Sequence, residues 1–272
     1  MIDALLNYTF MQNAFIAAFL SSIVCGIIGT IIVEKKLVSM SGGIAHASFG
    51  GIGLGYLLNI EPIFGGLLFA IISALSISKI NRTTNTNSDA LIGMFWSVGM
   101  SLGILFIGLM PGYPPDMTSY LFGDILTVST SYIGMMIGLS IIIVLSISAL
   151  FNKWELYLFD EEFAKVKGMN TVLFEYFLFV LIALSIVILI KVVGIILVIA
   201  LLTIPPAIAK LYTKNLKNMM LVSILVGIIV SVLGLMISYE YDIASGATII
   251  LFSAVIYLIS VVISETISRV KK

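Results

Sequence analysis

From one end of this chain to the other run apolar stretches, each about long enough to cross the hydrocarbon layer of a bilayer. They fall at about 13–33, 42–59, 62–78, 88–110, 129–150, 171–190, 192–209, 219–238 and 246–265, nine candidate spans in all. With 60% of its residues hydrophobic, 10% charged and a mean hydropathy of +1.19, the chain carries more apolar surface than a water-soluble core of 272 residues can hide. Runs of this length cross lipid as helices, because only a helix satisfies every backbone polar group within its own segment. The fold class is therefore all-α, a polytopic integral membrane protein. The connections are short (VEKK, NIEP, KINRTTNTNS, PGYPPDM, YEYD), apart from a charged segment from Asn152 to Gly168. They leave no room for a soluble domain, so residues 1–272 read as a single transmembrane domain. The N-terminus, MIDALLNYTFMQ, has no basic n-region, and the run behind it reads as a retained first helix.

Charge placement orients the spans. Alternating from an external N-terminus puts Lys35, Lys36, Lys79, Arg82, Lys153, Lys165, Lys167, Lys210, Lys214, Lys217, Arg269, Lys271 and Lys272 inside, and Lys191 alone outside. The positive-inside rule then predicts N-out, C-in with an odd number of spans. Residues 171–209 leave two alternatives: two spans joined by a tight turn, or one span and a half-helix, which brings the count to eight. The 14 basic and 14 acidic residues cancel, which gives no reason to expect a nucleic-acid partner. Cys25 is the sole cysteine, which excludes an internal disulfide and any CxxC motif; it reads as a small apolar residue in a helix. The thirteen methionines are dispersed and read as flexible packing.

His46 is the only histidine, and it lies within the second run among Gly, Ala and Ser. Gly43, Ala47, Gly51 and Gly55 recur every four residues and predict a helix face that a neighbouring backbone can approach closely. Gly42, His46 and Gly50 form the adjacent row, so the imidazole is expected beside a groove. An ionisable group at this depth is costly and faces the protein interior or a water-filled path. Imidazole nitrogen suits zinc or another transition metal. A neutral histidine hydrogen-bonded between helices is the alternative, and spacing alone leaves both open.

Other features bear on mechanism. In WELYLFDEEFAKVKG, Asp160 is expected to cap a helix running to Val166, with acids in its first turn and Gly168 ending it. Pro205 and Pro206 either kink the helix that holds them or terminate it. Ser88 or Asp89 is expected to cap the helix that starts there. No GxxxxGK[ST] loop occurs, so the chain does not hydrolyse ATP itself. With a single histidine in the chain, a nucleophile–base pair is poorly provided for, and an enzyme is not expected.

MSGGIAHASFGGIGLGYLL from Met40 resembles the second helix of the metal-type ABC permease family, the membrane subunits of bacterial zinc and manganese uptake transporters. That helix carries Met-Gly-Asp-Ala-x-Ser-His-Ala and then Gly-x-x-Leu-Gly-Tyr; Met40, His46, Ala47, Gly51, Leu54, Gly55 and Tyr56 stand at matching positions. SDALIGMFWSVGMSLGILFI from Ser88, YLFGDIL from Tyr120, LFDEEFAKVKGM from Leu158, VVGIILVIALLTIPPAIAKLYT from Val192 and SGATIILFSAVIYLIS from Ser245 resemble further family segments, in the same order. The resemblance implies a homodimeric permease of an ATP-driven importer in a prokaryotic inner membrane. A separate cytoplasmic ATPase and an extracellular or periplasmic metal-binding protein would be its partners, and a divalent metal its cargo. No cofactor is expected on this chain, since ATP would sit on the partner. The segment 152–168 would be the coupling helix that docks on the ATPase, with Phe163 and Ala164 as buried contacts, Glu161, Glu162 and Lys165 as the rim, and Asp160 and Gly168 as its ends.

His46 would line the metal path. The family's acidic residue four positions before it is Gly42 here, so either another acid compensates, with Asp116, Asp124, Asp242 and Glu61 as candidates, or the transported ion differs. Two rival functions remain. A secondary ion-coupled transporter needs acids within its spans, whereas these lie almost all in connections or at span ends. An ABC importer of a chelated metal or small organic substrate would share the fold without needing a metal ligand.

Overall fold

A computed structural model describes residues 5, 7–84, 87–112 and 118–270, and among them no strand occurs. Among the described residues twelve α-helices follow one another: α1 (Thr9–Glu34), α2 (Val38–Leu57), α3 (Pro62–Thr83), α4 (Ser88–Gly108), α5 (Thr118–Phe122), α6 (Thr130–Ala149), α7 (Phe151–Phe159), α8 (Glu161–Val166), α9 (Thr171–Val193), α10 (Ile195–Tyr212), α11 (Leu216–Tyr241) and α12 (Ser245–Val270). A 3-10 turn, Ile125–Thr127, sits between α5 and α6. Eight of the long helices are apolar enough to cross a membrane. The ninth, α2, has twenty residues, about 30 Å of helix, but its glycines, serines and His46 dilute its apolarity. It can be less apolar because its neighbours sheathe it: fourteen of its residues are buried.

The two readings of 171–209 are resolved in favour of two helices. The break is Gly194, at φ 80 and ψ 160, a conformation essentially confined to glycine. A side chain there would strike the backbone of Gly123, itself at φ 67, and one on Gly123 would strike the carbonyl of Val193. The proline alternative is settled too. Helix α10 runs through Pro205 and Pro206 to Tyr212, so the prolines do not end it. They leave the Leu201 and Leu202 carbonyls without their i+4 donors. Gly29 of α1 packs directly on the Leu202 carbonyl, where any Cβ would collide.

The described chain divides into two compact units. The first comprises Met1–Glu34, Thr118–Leu145 and Val192–Lys272. In it α10 packs against α1, α11 and α12; Lys210 pairs with Glu34 at 3.1 Å, and the Tyr212 hydroxyl donates to the Ser260 carbonyl at 2.8 Å. Asn13, buried within α1, donates from Nδ2 to the Val128 carbonyl at 3.1 Å, which satisfies a polar group that apolar surroundings would otherwise penalise.

The second unit comprises Lys35–Met117 and Ser146–Lys191. Its centre is α2, gripped by α3 on one side and α4 on the other. A side chain on Gly51 would strike the Gly65 carbonyl, and one on Gly65 the Gly51 carbonyl, so α2 and α3 touch backbone to backbone. The small-residue stripe, expected to serve one neighbour, serves two. Gly43 meets Ile92 and Ala47 meets Gly99, both on α4, whereas Gly51 and Gly55 meet Gly65 and Pro62 of α3. A four-residue repeat advances about 40° per step on a helix of 3.6 residues per turn, so the stripe drifts about 120° over these twelve residues. The cap of α4 also differs from expectation: it is Asn87, whose side-chain oxygen accepts from the Asp89 amide at 2.9 Å.

Candidate functional site

His46 sits half-buried near the middle of α2, in the second unit. The groove expected beside it is filled from the neighbouring helix. Trp96 of α4 lies flat on the imidazole, ring centroids 4.0 Å apart and planes within 7°. An aromatic pair of this kind contributes about 0.5–1.5 kcal/mol beyond the area it buries. Nδ1 of His46 is buried and makes no hydrogen bond among the described residues, so the hydrogen-bonded histidine considered above does not describe this ring. An unpaired buried nitrogen is uncommon and calls for an explanation at the level of function.

Among the described residues no three His, Cys, Asp or Glu side chains gather where they could hold a metal ion. Asp124, in the first unit, caps the 3-10 turn by accepting from the Leu126 amide at 3.1 Å, and Ser245 at the start of α12 donates to the same oxygen at 3.2 Å. Gly246, beside that serine, packs on the Phe122 carbonyl, so the FGDIL segment is pinned at both its phenylalanine and its aspartate. Asp242, also in the first unit, is the left-handed C-cap of α11 at φ 52. Glu61 precedes α3, whose first residue is Pro62, the favoured place for proline in a helix. Asp116 lies outside the described residues.

The charged segment forms two short helices of the second unit. Trp154 of α7 is fully buried, donates from Nε1 to the Ser146 carbonyl at 3.2 Å, and packs against Phe174 and Phe177 of α9 at 5.0 and 5.9 Å. Asp160 caps α8 as expected: Oδ1 accepts from the Phe163 amide at 2.8 Å, and Gly168 follows at φ 78. One expectation is corrected. Ala164 is completely covered by this chain, because its face of α8 turns inward, and of the two supposed contacts only Phe163 is open, at 46% exposure.

Glu161 ties α8 to its surroundings. It pairs with Lys165 at 3.1 Å and with Lys35, just before α2, at 3.6 Å. The Lys35 ammonium also lies 4.0 Å from the Tyr157 ring centroid. Burial opposes ionisation of Glu161, but Lys165, Lys35 and Arg82 outweigh it and hold the carboxyl below its ordinary value. Burial, with Glu175 and Glu161 adding to it, pushes the Tyr157 hydroxyl up. Arg82 pairs with Glu175, which also accepts from Ser78, so α3 is fastened to α9. These groups border a cavity of about 330 Å³ lined by Lys35, Ser39, Ser78, Asp89, Tyr157, Glu161 and Glu175.

No signal along the chain marked Trp96, Lys35 or the Arg82–Glu175 pair, since each works through a residue on another helix. Among the described residues, eight helices long and apolar enough to cross a membrane define a multi-pass membrane protein. The sequence model of the ABC 3 transport family matches residues 7–264, and the chain belongs to that family. An uncharacterized membrane protein of Synechocystis is 41% identical over 263 residues, covering 96% of this chain and 94% of that one. The manganese import system permease protein ScaB of Streptococcus gordonii is 36% identical over 259 residues, covering 95% and 93%. The structure of PsaBC from Streptococcus pneumoniae in complex with Fab superposes with a TM-score of 0.87 at 36% identity, covering 95% of this chain and 93% of that chain.

Proposed function

We propose that the chain is the membrane-spanning permease subunit of an ATP-driven importer that carries a divalent transition metal, manganese or zinc, across a prokaryotic cell membrane. The observation that supports this most is the near end-to-end likeness, in sequence and in fold, to a manganese import permease and to PsaBC. The single imidazole within the spans supplies a nitrogen suited to such an ion. A permeation site must bind weakly enough to release its ion, so one histidine with few other ligands is compatible with passage where it would not serve storage.

In this reading two copies of the chain enclose a central path. A cytoplasmic ATPase subunit docks on α8 of each, and an extracellular or periplasmic binding protein delivers the metal. Phe163 and Val166 are the apolar residues of α8 open to such a partner, and Glu162 and Lys165 flank them. ATP-driven closure of the ATPases would shift α7 and α8, and the Trp154 cluster and the Lys35–Glu161 pair would pass that shift to α9 and to the start of α2. His46 lies about a dozen ångströms further along α2, at 1.5 Å per residue from Val38. The metal would pass His46 as a transient ligand, and Asp116, Asp124 and Asp242 are the further candidate ligands.

The test is ATP-dependent uptake of radioactive manganese and zinc by proteoliposomes holding the permease, its ATPase and its binding protein. His46→Ala is expected to abolish uptake while leaving ATPase association intact. Unchanged uptake in that variant would make His46 a packing residue and move the search to the aspartates. If the wild type moves neither metal, the substrate class is wrong, and a chelated or organic substrate takes its place.

A further inference from the structure

A histidine that offers one ring nitrogen to a metal is ordinarily held by a hydrogen bond from the other nitrogen, which sets both its tautomer and its rotation. His46 has no such bond among the described residues: Nδ1 is buried and unpaired. One turn away along α2 on either side stand Gly42 and Gly50, which have no side chains to hold the ring. Against it lies the indole of Trp96, ring centroids 4.0 Å apart and planes nearly parallel. The helix that carries the indole is itself held against α2. Close contacts between α2 and α4 bracket the pair, with Gly43 against the Ile92 side chain before it and Gly50 and Ala47 against the Gly99 backbone after it. Trp96 remains 42% exposed, and the His46 imidazole covers one face of its ring.

We propose that Trp96 is a positioning residue for His46 in metal passage, replacing the missing hydrogen-bonded partner with a stacked ring that fixes the imidazole's rotation and leaves Nε2 free to meet a passing divalent cation. The proposal rests on the reading of His46 as a path ligand. It makes Trp96 part of the machinery although the indole, which has no lone pair to give, coordinates nothing.

The test compares Trp96→Ala, Trp96→Phe and His46→Ala in the reconstituted complex with radioactive manganese, each first shown to co-purify with the ATPase. A supporting residue of a metal ligand ordinarily costs about ten- to a hundred-fold when removed, and Trp96→Ala should lower uptake by that factor. Trp96→Phe keeps a ring to stack on and should stay within about three-fold of wild type, a rescue that mere loss of bulk would not produce. A spectroscopic readout is independent of turnover. In the full chain carrying Trp154→Phe, set in lipid nanodiscs, Trp96 is the sole tryptophan, and manganese should quench its emission unless His46→Ala is also present. Wild-type uptake in Trp96→Ala with uptake lost in His46→Ala overturns the proposal and leaves the path reading standing. Equal impairment by Trp96→Ala and Trp96→Phe also overturns it, as does emission insensitive to manganese in a Trp154→Phe chain that still transports. Wild-type uptake in His46→Ala removes the path reading and the proposal with it.

Discussion

The side chains that matter most here are decided by what is absent as much as by what is present. His46 is stacked by a ring from another helix, and among the described residues no hydrogen-bonding group reaches Nδ1; the neighbours of α2 approach it to backbone contact. The same closeness makes α2 intolerant of growth. Gly51→Leu drives a branched side chain into the Gly65 carbonyl, which belongs to backbone and cannot swing aside. The expected cost is about 1–3 kcal/mol or more, seen as a lowered Tm of the detergent-solubilised chain and a loss of monodisperse protein. Gly93 on α4 has nothing within 4 Å of its would-be Cβ, so Gly93→Ala should leave Tm unchanged or raise it by replacing glycine within a helix, and serves as the control. Glycine spacing along the chain signals tight packing. It could not say that the stripe splits between two partners, which depends on how each helix is rotated.

Helices α7 and α8 show which features of an element are local and which are not. Capping by Asp160 and termination at Gly168 follow from residue types a few positions apart, and both were legible. Asp160→Ala should cost about 0.5–2 kcal/mol of local stability, read as faster hydrogen exchange confined to the α8 amides. The inward turn of Ala164 was not legible, because one and a half turns of helix have an inside only once the rest of the chain supplies it. Glu161 gives this element a pH dependence with a definite sign. Its folded pKa lies below its unfolded one, so its contribution is complete above the ordinary glutamate value of 4.5 and is lost as pH falls through the lower folded value. Protection of α8, corrected for intrinsic exchange, should therefore hold down to pH 4.5 and decline below it, and Glu161→Gln should flatten that decline. For the proposed ATPase contact, Phe163→Ala should reduce co-purification of the ATPase, while Glu162→Gln, at the rim, should change it little.

At the scale of the whole molecule, the spans and the charge bias make a topological prediction. Cys25 is buried and alone, so a Cys25→Ser chain can carry one new cysteine at a time. A cysteine at Lys79 or Lys165 should react with a membrane-impermeant maleimide only in inverted vesicles, and one at Lys191 only in intact cells. Labelling of Lys79 and Lys191 from the same side would contradict the alternation of spans. The exposed apolar faces, such as Leu251, Val255, Leu258 and Val262 on α12, are what a chain bathed in lipid must present, since no water drives them inward.

Sequence by itself determined the membrane class, the long helices and the caps at Asp160 and Gly168, because each depends on averages over a span or on neighbours within a turn. It determined also that one imidazole, and no other, stands within the spans. Tertiary structure alone decided that 171–209 breaks into two helices at Gly194, where Gly123 arrives from more than seventy residues away. It alone brought Trp96 onto His46, Lys35 onto Glu161 and Arg82 onto Glu175. Such pairs follow from the rotation and register of packed helices, and along an apolar span a shift of one residue leaves hydropathy nearly unchanged while moving a side chain about 100° around the helix.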